Sequence, residues 1–387
     1  MDPELPTIQL PGFLKRALAA GHPWVYRDHV PRGLSLPSGS WVRVRAGNFS
    51  GYALWDERSP IALRVLSAER LPDALWTLER VRRAWELREL VRSGDTTALR
   101  WLNGEGDGLP GVTVDLYGGF AVVVSYADAV EPLLPWVVDA LGQTTKLAGI
   151  VRRRKGEKLE LLSGRKPPRE LIVSEHGLRF AVDLYAGQKT GLFLDHRDNR
   201  RTVGQISAGR RVLNLFSYSG GFSVHAAAAG AAAVTSVDSA PAAMADATRN
   251  LELNGLDPDS HEPVVSDAFE FLERSVSQAR RFDLVVCDPP SFARERSQLD
   301  AALKAYTRVN MLGLRVTEPG GLYAAASCTA QVSPQAFREA LAESARRAKR
   351  RLQIIHEAGQ ASDHPVMAGH LEGRYLKFIV GRALPIA

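Results

Sequence analysis

Residues 212–221 read V-L-N-L-F-S-Y-S-G-G, followed by F-S-V-H-A-A-A-A-G and then by V-T-S-V-D, which closes on Asp238. An apolar run ends in a loop of small residues, and an alanine-rich stretch begins directly behind it. A second β-branched run then finishes on an acid. The order predicts strand, tight turn, helix and strand. In an open parallel sheet, such a unit lays a nucleoside-bearing ligand over the strand ends. Glycine lets the backbone approach it closely, and the acid accepts from ribose hydroxyls. The stretch has no G-x-G-x-x-G, so a pyrophosphate need not be cradled here, and the expected ligand shifts from a dinucleotide to S-adenosylmethionine.

Downstream, apolar runs alternate with helical patterns at 263–266, 284–288, 321–327 and 375–380, which predicts a doubly wound α/β fold. Acids fall at the carboxyl ends of successive strands, with Asp238 after the second, Asp267 after the third and Asp288 after the fourth. That end is the ligand-binding edge of such a sheet. Asn214, Ser217, Ser239 and Ala268 lie beside these positions and join the candidate cofactor set. Asp288 opens D-P-P-S-F. Pro289 and Pro290 stiffen the loop and withhold amide donors, and Phe292 is placed to stack on a flat substrate.

Cys328, in A-A-A-S-C-T, ends the next strand on the same edge. Carbon 5 of cytosine needs activation before it can accept a methyl group. A thiolate adding to carbon 6 supplies it, and a carboxylate, for which Asp288 is the candidate, would stabilise the charge developing on the ring. Cys287 neighbours Asp288 in a strand and should point the opposite way, into the packing.

Residues 1–71 predict a small β module, with W-V-R-V-R at 41–45 alternating apolar and basic residues. Lys15 and Arg16 precede G-H-P-W-V-Y, and cations beside aromatics suit RNA. Residues 72–185 predict an α+β unit ending in a linking hairpin, L-I-V-S-E-H-G-L-R-F-A-V-D-L. Within it, Arg152, Arg153 and Arg154 open a basic cluster that could line an RNA path. Residues 186–387 form the α/β domain. A length of 387 residues, 45% hydrophobic and 24% charged, is that of a multidomain globular protein, and a net charge of +6 favours a polyanionic partner. Two cysteines offer neither a disulfide framework nor a metal cluster, so no metal is expected. M-D-P-E-L-P has no basic or apolar leader pattern, and the expectation is a cytoplasmic protein without membrane contact.

These motifs resemble the bacterial large-subunit ribosomal RNA cytosine-5 methyltransferases that carry an amino-terminal PUA domain. The likeness spans essentially the whole chain through G-H-P-W-V-Y, E-G-D-G-L-P-G-V-T-V-D-L-Y, G-Q-K-T-G-L-F-L-D-H-R-D-N-R, N-L-F-S-Y-S-G-G-F-S-V-H-A, D-P-P-S-F, S-C-T-A-Q-V-S and D-H-P. It implies a class I methyltransferase domain of Rossmann-like form behind a small β-barrel PUA domain and a middle domain. S-adenosylmethionine would be the donor, a cytosine of 23S ribosomal RNA the substrate and Cys328 the nucleophile. Lys189, Thr190 and Arg197 would hold the methionine end of the donor, and Phe216, Tyr218, Ser219 and Gly220 would wall it. Asp238 and Asp267 would take its ribose and adenine. His196 stands where glutamine is usual, and S-C-T replaces S-C-S. Family members are often dimers, which makes a homodimer an expectation. Two other readings stay open: methylation of a base nitrogen such as guanine N7, which needs no thiol, and a non-catalytic RNA-binding assembly factor.

Overall fold

Period-two patterning shapes the first part of the chain. In W-V-R-V-R-A, Val42 and Val44 are fully buried, while Arg43 is half-buried and Arg45 exposed on the opposite face. The computed structural model describes residues 5–92, 94–154, 156–185, 192–293 and 295–386. Strands β1 (Thr7–Gln9), β2 (Trp24–Tyr26), β3 (Trp41–Ala46), β4 (Phe49–Trp55) and β5 (Ile61–Ser67) form one sheet in the order β1-β3-β4-β5-β2, and a short helix α1 (Lys15–Ala19) precedes β2.

A second sheet, β10-β9-β8-β7-β6, comprises β6 (Ala98–Asn103), β7 (Val112–Tyr117), β8 (Phe120–Ser125), β9 (Gly149–Arg152) and β10 (Glu160–Gly164). Helices α2 (Ala74–Leu87), α3 (Glu89–Arg92) and α4 (Leu134–Thr144) accompany it. Asp73 caps α2 by accepting from the amide of Trp76 at 2.7 Å, and the helix buries Trp76, Val81 and Ala84. The glycine-rich turn of this part is anchored by a buried pair. Arg88 donates twice to Asp107, each time at 2.7 Å, and once to the carbonyl of Asp363 at 2.8 Å.

The linking hairpin is β11 (Leu171–Glu175) and β12 (Leu178–Val182). His176 and Gly177 join them with φ of 49° and 79°, the two positive values that a two-residue hairpin turn of type I′ requires.

From Asp195 onward the structure is α/β. It contains α5 (Arg197–Gln205), β13 (Arg211–Leu215), α6 (Gly221–Ala228), β14 (Ala233–Asp238), α7 (Pro241–Leu253), β15 (His261–Val265), α8 (Ala268–Ser277) and β16 (Phe282–Cys287). After these come α9 (Leu299–Val316), β17 (Thr317–Ser327), α10 (Pro334–Arg347), β18 (Arg350–Ala358) and β19 (Lys377–Pro385). The sheet order is β15-β14-β13-β16-β17-β19-β18, and β19 runs antiparallel to both of its neighbours. Strand order reverses between β13 and β16, so a ligand belongs at the carboxyl ends of those strands. One face packs Leu213, Leu215, Val285, Cys287 and Tyr323 with α8, α9 and α10, and the other packs Val212, Leu284 and Val286 with α5 and α6.

Strand β18 has no counterpart among the sequence expectations. Most of its residues are exposed, including Ile354 and Ile355, so the period-two signal of a half-buried strand is missing. The closing strand starts at Lys377 rather than at 375 and continues to Pro385.

The chain divides into two compact units, residues 1–173, 182–194 and 362–373 in one and residues 174–181, 195–361 and 374–387 in the other. No described helix is long and apolar enough to cross a membrane.

Candidate functional site

The loop after β13 is held in an uncommon backbone form. Phe216, Tyr218 and Gly220 have φ of 56°, 47° and 76°. For the two aromatic residues this costs on the order of 1–3 kcal/mol each, and surrounding contacts must impose it. The amide of Ser217 donates to Val237 O at 3.0 Å, that of Tyr218 to Oδ2 of Asp238 at 2.9 Å and that of Gly220 to Ser217 O at 2.9 Å. Nδ2 of Asn250 donates to Ser219 O at 2.9 Å. Asp238 also accepts from the amide of Ala240 at 3.0 Å through Oδ1, so one carboxylate ties the loop to the start of α7. A Cβ on Gly220 would lie 2.8 Å from Cβ of Ala247, and one on Gly221 would lie 2.7 Å from Cδ of Arg200.

Asp267 is exposed and caps α8, with Oδ1 accepting from Phe269 and Glu270 amides at 2.8 and 3.2 Å. Asp288 follows β16 directly, and its Oδ2 lies 3.3 Å from Nε2 of the buried His196. Asn199 donates to Nδ1 of His196 at 3.1 Å and to Gly359 O at 3.1 Å. With Nδ1 an acceptor, the ring proton sits on Nε2 and faces Asp288. Pro289 is buried, Pro290 exposed and Phe292 half-buried. The Phe292 ring meets Tyr306 edge-on at 4.9 Å, so part of its face is already covered.

Cys328 is half-buried just past the end of β17, whereas Cys287 is fully buried and its thiol is pushed up to about 12 by desolvation. The parallel pairing of Cys287 with Ala325 puts Asp288 and Cys328 on the same edge of the sheet. Tyr306 senses both. Burial, followed by its neighbours, among them Cys328 and Asp288, pushes its hydroxyl up to about 12.

A family model for S-adenosylmethionine-dependent methyltransferases matches residues 128–368, and one for PUA-like domains matches residues 9–68. The chain belongs to the S-adenosylmethionine-dependent methyltransferase family. Similar curated proteins include one named Ribosomal RNA large subunit methyltransferase I from Erwinia tasmaniensis, 36% identical over 96% of this chain and 97% of its own length. A namesake from Klebsiella pneumoniae is 35% identical over 99% and 100%. Among solved structures, a Streptococcus mutans chain described as a SAM-dependent methyltransferase superposes with a TM-score of 0.88 at 25% identity, covering 98% of this chain and 100% of that one. A methyltransferase solved in complex with SAH gives 0.89 at 26%, with the same coverage.

The methyltransferase edge suits S-adenosylmethionine by its donor set. Acceptors ring it, with carboxylates at Asp238, Asp267 and Asp288, and the ligand brings hydroxyl and amino donors and a sulfonium charge. Each Asp238 oxygen takes one amide proton and keeps a second lone pair.

The remaining expected residues of the methyltransferase fall in several places. Lys189 and Thr190 lie outside the described residues. Arg197 is 1% exposed and donates to Asp198 at 3.1 Å. Ser217 and Ala268 are buried beside the strand ends, and Ser239 is exposed. Asn214 is turned into the layer beneath the edge, where it begins a buried chain. It donates to Ser223 at 2.9 Å, Ser223 meets Ser236 at 2.6 Å, and Ser236 meets His261 at 2.8 Å.

Of the RNA candidates, Lys15, Arg16 and Arg154 are exposed and Arg153 is half-buried. Arg152 departs from the expected surface cluster. It is 5% exposed on β9, pairs with Glu131 and donates to Ser125 at 2.5 Å, because its strand position points it inward. Two features had no sequence signal. Lys377 is buried at the start of β19, and His22, His370 and Glu372 bring ligand-type atoms within 4.8 Å of one another although they are far apart in sequence.

Proposed function

We propose that this methyltransferase modifies a cytosine of large-subunit (23S) ribosomal RNA at carbon 5, using Cys328 as a covalent nucleophile. The relatives' names supply the substrate class. The chemistry rests on one observation: of the two cysteines, only Cys328 is within reach of solvent, and it stands at the strand edge that also carries Asp288.

In this reading Asp238 and Asp267 accept from the ribose and adenine of the donor, while residues 216–220 wall it. Lys189, Thr190 and Arg197 take its methionine end. When bound, S-adenosylmethionine supplies an electrophilic methyl group that the activated carbon 5 accepts. The Cys328 thiolate adds to carbon 6 and makes carbon 5 an enamine carbon. Asp288, oriented by His196, stabilises the charge that builds on the ring. Loss of the carbon-5 proton to a base then breaks the sulfur–carbon bond and frees the cysteine. Pro289 and Pro290 shape the loop beside the base, and Phe292 offers its uncovered ring face. Residues 1–71 form the RNA-binding module, where Lys15 and Arg16 meet phosphates, and Arg154 extends that surface within residues 72–185. Residues 186–387 carry the reaction.

The test uses ribosomal RNA containing 5-fluorocytosine. The wild-type chain should stall as a protein–RNA adduct that resists denaturant, and Cys328→Ala should form none. A Cys328→Ala chain that methylates RNA at the full rate would instead support methylation of a base nitrogen.

A further inference from the structure

Lys377 grips both neighbours of Cys328. Its backbone pairs with Ser327 across β17 and β19, and its Nζ donates to the carbonyl oxygen of Thr329. A second bond from Nζ reaches Tyr375 O at 2.9 Å. The residue is 5% exposed. Two carbonyls would be satisfied equally well by a neutral donor, and burying an ammonium ion is costly unless a negative partner offsets it. The carbonyl bonds account for the position of the nitrogen but not for its charge.

Cys328, between the two residues that Lys377 holds, is the candidate partner for that charge. Burial pushes Lys377 down to about 8, and the interaction with Cys328 acts in the opposite direction. The ammonium form therefore prevails at neutral pH, next to a thiol.

We propose that Lys377 is a positioning residue for methyl transfer: its ammonium fixes the turn at residues 327–329 and holds the Cys328 sulfur as a thiolate. The inference rests on Cys328 being the nucleophile, as proposed above. The S–H bond breaks, its proton passes to solvent, and the electron pair left on sulfur is the one that bonds to carbon 6. The lysine exchanges no proton in the cycle. Among the described residues, Tyr306 on α9, whose hydroxyl burial pushes up to about 12, also interacts with Cys328 and brings no positive charge, and neither does the carboxyl group of Asp288 on the same sheet edge.

The experiment is iodoacetamide alkylation of the full chain from about pH 5 to about pH 10, read by mass spectrometry on the peptide holding residue 328, without RNA or donor. Cys287, buried and pushed up to about 12, is the internal control for a folded chain. The wild-type midpoint should lie about one unit or more below the ordinary thiol value of about 8.5. Lys377→Gln, which keeps an N–H donor but no charge, should raise it by about one unit or more, and Lys377→Arg should leave it low. A wild-type midpoint at or above about 8.5 would overturn the proposal even if a variant fails to fold. An unchanged midpoint in folded Lys377→Gln would do the same. A trapped RNA adduct with an ordinary midpoint would sink only the lysine's role. A shifted midpoint with no adduct would sink only the nucleophile.

Discussion

Nε2 of His196 lies 3.3 Å from Oδ2 of Asp288, with the ring turned by Asn199 so that its proton faces the carboxylate. The contact is electrostatic rather than an aligned hydrogen bond. His196→Leu keeps the bulk against Phe222 and Phe378 but removes the N–H. An unaligned contact contributes less than the roughly 1.5 kcal/mol of a hydrogen bond to a charged group, so kcat should fall by several-fold but less than about tenfold while donor affinity holds. His196→Gln restores a donor and should recover most of the rate. Single-turnover methylation of RNA by the three chains checks this. Equal rates for leucine and histidine would remove His196 from the site.

Gly220 combines a left-handed φ of 76° with a neighbour, Ala247, at 2.8 Å from where its Cβ would be. Gly220→Ala should cost about 2 kcal/mol or more, the sum of backbone strain and overpacking. Thermal unfolding should show the loss, and calorimetry should show weaker S-adenosylmethionine binding. Adding Ala247→Gly should restore part of the binding, since it removes the contact but not the strain.

Acid sensitivity should arise in two steps. Burial pushes His261 down to about 4 and also lowers His225, so both are neutral in the folded protein. A lowered folded value means that their contribution is full above about pH 6.5 and is lost as pH falls toward the folded values. Glu175 follows. Burial alone would raise it, but Arg200 and His225 outweigh burial and hold it well below the usual carboxylate range, so its contribution fades only under strong acid. Urea unfolding from about pH 7 to about pH 4 should therefore show falling stability, and His261→Asn should flatten that slope. An unchanged slope would refute the assignment.

Arg152 and Arg154 should separate cleanly. Arg154 is exposed and pairs with Glu131 at 2.9 Å, so Arg154→Ala should leave stability nearly unchanged and reduce the salt dependence of RNA binding. Arg152→Ala removes a buried side chain from Glu131, which is 35% exposed and keeps Arg154, and should cost about 1 kcal/mol in unfolding experiments. Loss of RNA affinity from Arg152→Ala with unchanged stability would reverse the assignment.

Local pattern made the strands from β13 to β17 legible, because each is an apolar run bounded by turn residues and most close on an acid. It also made the hairpin around His176 and Gly177 legible. Strand β18 was not, since an exposed edge strand has no apolar face to announce it. Arg152 was misplaced for a related reason: consecutive arginines look alike in sequence, but a strand sends neighbours to opposite sides. Lys377 escaped notice because its meaning depends on the antiparallel register that brings it to Ser327. Pairings distant along the chain leave no trace in composition or spacing.

β19 inserts between β17 and the earlier-made β18. During synthesis, the segment bearing Cys328 leaves the ribosome before the strand that fixes it. A nascent chain halted before residue 377 would carry its thiol without the neighbouring cation and with an unfilled slot in the sheet. Reactivity at that sulfur would thus be withheld until the rest of the sheet has assembled.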